Sequence, residues 1–393
     1  MQTFYIIGIS DNRNQFLSPE IRNLVSQGKV FSGGKRHHEL VHAYLPEDAV
    51  WIDITVPLDA VFCRYEEHSE IIVFASGDPL FFGFANTVMR KLPSAKIILF
   101  PTFNSLQMLA HRILLPYQEM QTLSLTGRPW DAFDSALIRG DKLIGVLTDR
   151  EKTPATIAAR MLEYGYDNYR MIVGEALGNG EEESVRTFSL EEASQSAFRF
   201  PNCLILQRNK VHPRPFGIPE SEFHLLNGRN RMITKMPVRL LTLSMLTLRE
   251  KKSFWDIGFC TGSVSIEAKL QFPELKVTAF EQRPEGKELM ERNSRKFGTP
   301  GITTVMGDFL ETELGGLPAP DAVFIGGHGG KMIEILQKIK EVLLPDGVIV
   351  FNSVSEESKA LFTKGITQIN KKVTQCTRIA VDAFNPIEIM RAE

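Results

Sequence analysis

Cysteine is scarce in this chain: only 4 occur in 393 residues, at Cys63, Cys203, Cys260 and Cys376. No CxxC pair is present, which argues against a zinc ribbon or a redox dithiol, and no metal site is expected. Such scattered thiols do not make a disulfide framework, so a reducing compartment fits better. An excess of charge is also missing. Lys plus Arg number 45 against 47 Asp plus Glu, for a formal net charge of −2. No global basic footprint for nucleic acid results, although a local patch stays open. No apolar run approaches the roughly 18–20 residues that span a bilayer. The start, Met1 to Gly8, has no basic n-region and too short an apolar stretch for a signal peptide. Short-period repeats and low-complexity tracts are absent, which excludes solenoids. The expectation is a soluble, cytoplasmic protein with no membrane partner.

What is present is ordinary globular composition, 43% hydrophobic and 23% charged. The length suggests two to three domains at roughly 150 residues each. Pro213, Pro215, Gly217 and Pro219 fall close together after an apolar run, Cys203 to Arg208. Prolines at that density suit neither a helix interior nor a central strand. The expected division is therefore 1–208, a linker at 209–219, and 220–393. In the first part, strand-like runs at Phe4–Ile9, Ile71–Ala75, Lys96–Phe100, Lys142–Leu147 and Tyr169–Val173 alternate with helical patterns. The helices are expected at Pro19–Gln27, Phe82–Leu92 and Thr153–Tyr164, and Gly33–Arg36 reads as a turn. The second part alternates more clearly, with strands at Phe254–Ile257, Lys276–Phe280, Thr303–Met306, Ala322–Ile325 and Val348–Asn352. Both parts read as α/β, and the second as a doubly wound sheet that binds ligands at its strands' carboxyl ends.

The strongest local signal is Asp256-Ile257-Gly258-Phe259-Cys260-Thr261-Gly262-Ser263, where a strand ends and a helix starts. Gly258 lets the backbone turn, and Gly262 permits close approach of a ligand. Glu281 ends the next strand roughly 20 residues later, where a carboxylate can accept from a ribose diol. Asp308-Phe309 follows the third strand; an acceptor beside an aromatic ring suits an adenine. Together these indicate a nucleoside ligand. The G-x-G-x-x-G spacing of dinucleotide enzymes is absent, which excludes a nicotinamide dehydrogenase. Cys260 reads as a small buried thiol or as a nucleophile near a helix N-terminus. His328 sits among four glycines, Gly326 to Gly330, in a wall suited to a large flat ligand. Arg229, Arg231 and Lys235 offer cations ahead of the first helix.

The D-x-G-x-x-x-G frame resembles the class I S-adenosylmethionine methyltransferases, with Cys260 in place of their middle glycine. Thr234, Asp256, Gly258, Gly262, Ser263, Glu281, Asp308 and Phe309 are then the cofactor candidates. The first part has a buried strand running into Gly77-Asp78-Pro79-Leu80-Phe81-Phe82, which resembles the tetrapyrrole methylase family. Gly33 to His37, Pro101 to Ser105, Ser124 to Pro129, Thr148 with Thr153 to Ala155, and Val173 to Gly178 extend the likeness. The family's G-x-G-P-G first turn is absent. This resemblance implies a fold of two α/β subdomains and marks Gly77, Asp78, Phe81 and Ser105 as cofactor-binding. A tetrapyrrole methylase half joined to a class I half resembles the decarboxylating methyltransferases of cobalamin biosynthesis. Ile233 to Lys235, Ser263 to Glu267 and Phe324 to Gly327 support that likeness.

The resemblance implies S-adenosylmethionine as cofactor and methylation of a precorrin, or cobalt-precorrin, at C5 and C15. It also implies loss of carbon dioxide from the C12 acetate, taking precorrin-6B to precorrin-8. Such a substrate carries many carboxylates, so Arg128, Lys235 and His328 are its expected contacts, with Lys35 and Arg36 as further cations. No residue is singled out as catalytic, because the conjugated macrocycle is its own nucleophile and electron sink. By analogy a homo-oligomer is expected, with no nucleic acid partner. Two alternatives stay open at this point: an RNA methyltransferase, and a non-enzymatic S-adenosylmethionine- or tetrapyrrole-binding scaffold.

Overall fold

A computed structural model describes residues 2–229, 232–381 and 386–393. The chain forms two compact units. One comprises Met1–Arg128, Lys142–Ala159 and Tyr169–Asn209; the other comprises Pro129–Asp141, Arg160–Asn168 and Lys210–Glu393. Among the described residues no helix is long and apolar enough to cross a membrane. No group of three or more His, Cys, Asp or Glu among them is placed to hold a metal ion.

The first unit contains two five-stranded sheets. The first is built from β1 (Thr3–Ile9), β2 (Val30–Gly33), β3 (Val50–Asp53), β4 (Glu70–Ser76) and β5 (Lys96–Phe100). Its order is β3-β2-β4-β1-β5 and every pair is parallel. Ile71 to Ala75 of β4 are buried without interruption, as a strand covered on both faces requires. The second sheet is built from β6 (Gln121–Ser124), β7 (Leu143–Leu147), β8 (Tyr169–Glu175), β9 (Ser184–Phe188) and β10 (Asn202–Arg208). Its order is β6-β7-β10-β8-β9, with only β6 and β7 parallel. The carboxyl ends of β1 and β4 approach so closely that a Cβ on Gly8 would lie 2.0 Å from the Gly77 carbonyl oxygen.

The structure departs from the expected elements twice in this unit. Gly33–Arg36 is not a free turn: helix Lys35–Val41 starts within it, and the Gly34 N–H donates to His37 Nδ1, 3.2 Å away. The helix expected from Phe82 begins at Phe84 instead, because Phe82 takes a left-handed φ of +54°.

The second unit carries a seven-stranded sheet: β11 (Ser253–Ile257), β12 (Lys276–Glu281), β13 (Ile302–Met306), β14 (Ala322–Ile325), β15 (Val348–Ser353), β16 (Val373–Ile379) and β17 (Ile387–Ala392). The order is β13-β12-β11-β14-β15-β17-β16, and β17 runs against both of its neighbours. The first five strands are parallel. All five residues of β11 are buried. Phe254 faces one apolar cluster and Trp255 the other, so the strand anchors both sides of the sheet. Each such side chain contributes roughly 1.5–3 kcal/mol by burial. Connections leave β11 toward β12 on one side while β14 lies on the other, which opens a crevice at their carboxyl ends. This is the doubly wound α/β sheet that the sequence predicts.

Candidate functional site

A cleft of about 700 Å³ occupies that crevice. Its floor is the loop from β11 to helix Ser263–Gln271. Gly258 has φ +78°, and a Cβ there would meet the Gly327 amide nitrogen at 2.9 Å, so the two glycine-bearing loops close on each other only without side chains. Gly262 has φ +75°; the neighbour of its missing side chain is Met290, whose Sδ would lie 2.5 Å from a Cβ. Cys260, between these two glycines, also takes a left-handed φ of +51°. Its thiol donates to the Met232 carbonyl at 3.3 Å. Burial, with Glu281 nearby, pushes that thiol above its ordinary pKa, which suits an inert thiol and not a thiolate nucleophile.

The acidic residues divide by how their oxygens are used. Both oxygens of Glu281 accept from backbone: one from Cys260 N and one from Arg283 N, each at 2.9 Å. Arg283 Nη1 also donates to Oε1 at 3.3 Å, so the carboxylate is fixed at the cleft wall with acceptor capacity left on Oε2. Asp308 accepts from Leu310 N and from Lys331 Nζ, each at 2.9 Å. The lysine hydrogen bond holds the Asp308 carboxyl below its ordinary range. The Phe309 ring is 6% exposed and edge-on to Phe280 at 5.1 Å, so the core holds it in place at the cleft.

Asp256 is different. It is 1% exposed; one oxygen accepts from the Ser265 hydroxyl at 2.6 Å, and Oδ1 has no partner among the described residues. Burial raises its carboxyl to about 7, with the Glu281 charge adding to the shift. Thr261 Oγ1, also buried and lining the cleft, is likewise without a partner. Unsatisfied buried polar atoms are rare in native folds, so two on one cleft wall indicate a polar ligand. A cationic amino-acid nucleoside meets that need. S-adenosylmethionine therefore fits this donor and acceptor set.

The opposite wall holds the other sequence-predicted residues. His328 Nδ1 accepts from Gly330 N at 3.2 Å, which leaves the proton on Nε2. Its ring meets Phe351 edge-on at 5.8 Å, and burial lowers its pKa, so it is a neutral donor at pH 7. Lys235 directly precedes helix Met236–Met245, and both it and Thr234 line the cleft. The Thr234 carbonyl accepts from Arg239 Nη1 at 2.7 Å. Arg239 in turn meets Glu267 at 2.6 Å, with both side chains fully buried. Arg229 is exposed, and Arg231 lies outside the described residues. Thr261, Lys331 and Asn352 also line the cleft and were not singled out from sequence. Each directly follows or interrupts a recognised motif at a strand's carboxyl end, which is the signal that could have found them.

In the first unit, Gly77 takes φ +63°, and a Cβ there would meet Asn104 Cα at 2.9 Å. That contact brings Gly77 and Asp78 beside Ser105, the first residue of helix Ser105–Arg112, which Asn104 caps. Asp78 Oδ1 accepts from Leu80 N at 2.8 Å. Phe81 packs against the cluster that contains Leu106 and Leu109. The Arg128 guanidinium lies 5.0 Å from the centre of the Phe82 ring, which joins it to the same loop. Gly77, Asp78, Phe81, Ser105 and Arg128 thus form one neighbourhood. Lys35 is exposed, and Arg36 pairs with Asp11.

Comparison with known proteins adds to this geometry. The sequence model of a precorrin methyltransferase domain matches residues 227–392. The chain is 33% identical over 371 residues to precorrin-6Y C(5,15)-methyltransferase (decarboxylating) of Sinorhizobium sp, covering 91% of this chain and 86% of that one. It is 34% identical over 162 residues to cobalt-precorrin-6B C(15)-methyltransferase (decarboxylating) of Salmonella typhimurium, covering 41% of this chain and 83% of that one. Among solved structures, a precorrin-6y C5,15-methyltransferase from Geobacter metallireducens covers 47% of this chain and 99% of its own, at 33% identity and a TM-score of 0.42. The match to the Sinorhizobium protein runs through both units, and on that ground the chain belongs to the precorrin-6Y C5,15-methyltransferase (decarboxylating) family.

Proposed function

We propose that this enzyme carries out two methyl transfers and one decarboxylation on a single tetrapyrrole. In this reading, the part before the 209–219 linker is a tetrapyrrole methylase that methylates C5. The part after it is a class I methyltransferase that methylates C15 and removes the C12 acetate carboxylate as carbon dioxide. The overall conversion is precorrin-6B, or its cobalt form, to precorrin-8. The carrying observation is the pair of buried polar atoms without partners among the described residues, Asp256 Oδ1 and Thr261 Oγ1, on the wall of the cleft in the second unit.

S-adenosylmethionine, when bound, supplies an electrophilic methyl group on a sulfonium. Asp256 and Thr261 would hold its polar end, and Glu281 its ribose. Asp308 would accept from its base beside Phe309. In the first unit, Gly77, Asp78, Phe81 and Ser105 would hold a second copy. The tetrapyrrole's meso carbons are enamine-like and attack in line, so the protein's task is positioning more than proton transfer. Neutral His328 would donate to a substrate carboxylate, and Lys235 would supply a cation to another. On decarboxylation, the electron pair of the breaking C–C bond passes into the conjugated ring, and a proton then completes the methyl group at C12.

Calorimetric titration with S-adenosylmethionine tests the two-site reading. Two sites per chain are expected, with Asp256→Asn weakening only one. A single site in the wild-type protein would restrict the cofactor to one unit.

A further inference from the structure

The loop from Asp78 to Gly83 holds a bulky residue in a conformation that such residues rarely adopt. Phe82 has φ +54°. Its surroundings fix it there. Phe81 N–H donates to the Asp78 carbonyl at 3.0 Å, and the Asn86 amide donates to the Leu80 carbonyl at 2.8 Å. The next residue, Gly83, packs so tightly that a Cβ would lie 2.4 Å from the Pro79 carbonyl oxygen. The left-handed step leaves the two adjacent aromatic rings edge-on to each other, 4.9 Å between centres, with unequal cover. Phe81 packs into the apolar cluster behind the loop, while Phe82 stays 37% exposed. Strain that the surrounding structure maintains concentrates at functional sites.

Arg128 gives that exposed ring a partner. Its guanidinium lies 5.0 Å from the ring centre, and no ion pair joins it to a carboxylate among the described residues. Gly127, at φ +60°, turns the loop that carries it, and its N–H donates to the Asp149 carboxylate at 3.0 Å. One sheet of the unit therefore contributes the ring, after β4, and the other contributes the cation, after β6. The pair offers an apolar face beside a planar fork of donors, the combination that recognises a flat ring system edged with carboxylates.

We propose that Phe82 and Arg128 form one substrate subsite of the first unit, in which the guanidinium takes a peripheral carboxylate of the tetrapyrrole and the phenyl ring packs on its macrocycle. This rests on the reading that the first unit methylates C5. The ring contact restrains the guanidinium before substrate arrives, so less side-chain freedom is lost on binding.

The test uses the full-length chain with precorrin-6B and S-adenosylmethionine, following each methyl group separately. Phe82→Gly removes the ring and suits the left-handed backbone, so thermal unfolding should not shift downward. Arg128→Lys keeps the charge and loses the planar fork. Each variant should raise KM for the tetrapyrrole in the C5 step tenfold or more, with kcat and S-adenosylmethionine affinity within twofold of wild type. C15 methylation and decarboxylation should proceed as in wild type. A tetrapyrrole KM within twofold of wild type in both variants would overturn the subsite and leave the pair as surface packing. Should Phe82→Gly unfold more easily, the exposed Arg128→Lys variant decides. Failure of the underlying reading looks different: the wild-type protein itself would yield a product lacking the C5 methyl group, and the proposal would fall with it.

Discussion

The two units present their candidate site residues in different ways. In the second, the cleft wall holds buried side-chain atoms without partners among the described residues, Asp256 Oδ1 and Thr261 Oγ1. In the first, the candidate residues are already paired within the protein. Asp78 accepts from Leu80 N, and Arg128 lies against the Phe82 ring. What the first unit offers instead is backbone geometry: strand ends brought together at Gly8 and Gly77, and a strained aromatic beside an arginine. The comparison teaches that a site can be preformed by burying polarity in need of a ligand, or by shaping the chain around a surface. The two should answer differently to mutation and to pH.

The largest expected effect breaks the second unit alone. Arg239 and Glu267 are fully buried, and Arg239 also donates to the Thr234 carbonyl on the cleft wall. Arg239→Ala should destabilise the protein by about 3–5 kcal/mol, because it strands a buried carboxylate. The double change Arg239→Met with Glu267→Met should be much milder. Denaturant unfolding of the two variants measures this, and equal losses in the single and double variants would contradict it.

Next in size is Asp256→Asn. It keeps the side chain's shape and removes the charge, and should weaken cofactor binding in the second unit tenfold or more, about 1.4 kcal/mol. Titration should show the first-unit site unchanged.

The pH response sharpens the contrast further. The Asp256 carboxyl is raised to about 7 from an ordinary 3.8. Its protonated form is therefore favoured in the folded protein, and the resulting stability is lost as pH rises from about 4 through 7. A cationic ligand favours the ionised form. Cofactor affinity at this site should fall as pH drops below about 7, by up to tenfold per unit, with proton release on binding. Titrations across pH in Asp256→Asn should flatten that dependence; an unchanged profile would assign it to another group.

Smallest is Cys260→Gly. The left-handed backbone at this residue is unfavourable for any side chain, and glycine relieves it. A gain of about 1 kcal/mol or less is expected in the denaturant midpoint, with the cleft's activity retained. A loss would mean that the thiol's bond to the Met232 carbonyl outweighs the strain.

Much of the second unit was legible in the sequence because its strands are short apolar runs that end in glycine or acidic residues. β11, β12, β14 and β15 lie where the pattern predicts them. The last two strands were not read. β16 is mostly exposed and mixes polar with apolar residues, and β17 mixes charge with apolar residues, so neither shows a buried run. Of the predicted cofactor residues of this unit, all but Gly262 line one cleft, but the partnerless state of Asp256 Oδ1 among the described residues depends on which neighbours fold around it, and no spacing rule reveals that. In the first unit, the helix start at Phe84 was misplaced because nothing local in Leu80-Phe81-Phe82-Gly83 announces a left-handed phenylalanine. The Phe82–Arg128 contact joins positions far apart in sequence on two sheets, so only the fold brings it into view.

Mass spectrometry of precorrin-6B after incubation with the protein and S-adenosylmethionine, with and without cobalt in the macrocycle, tests the central claim most directly. The account predicts a product that has gained two methyl groups and lost one carbon dioxide. A product that keeps its C12 carboxylate, or that gains fewer than two methyl groups with excess cofactor, would contradict it.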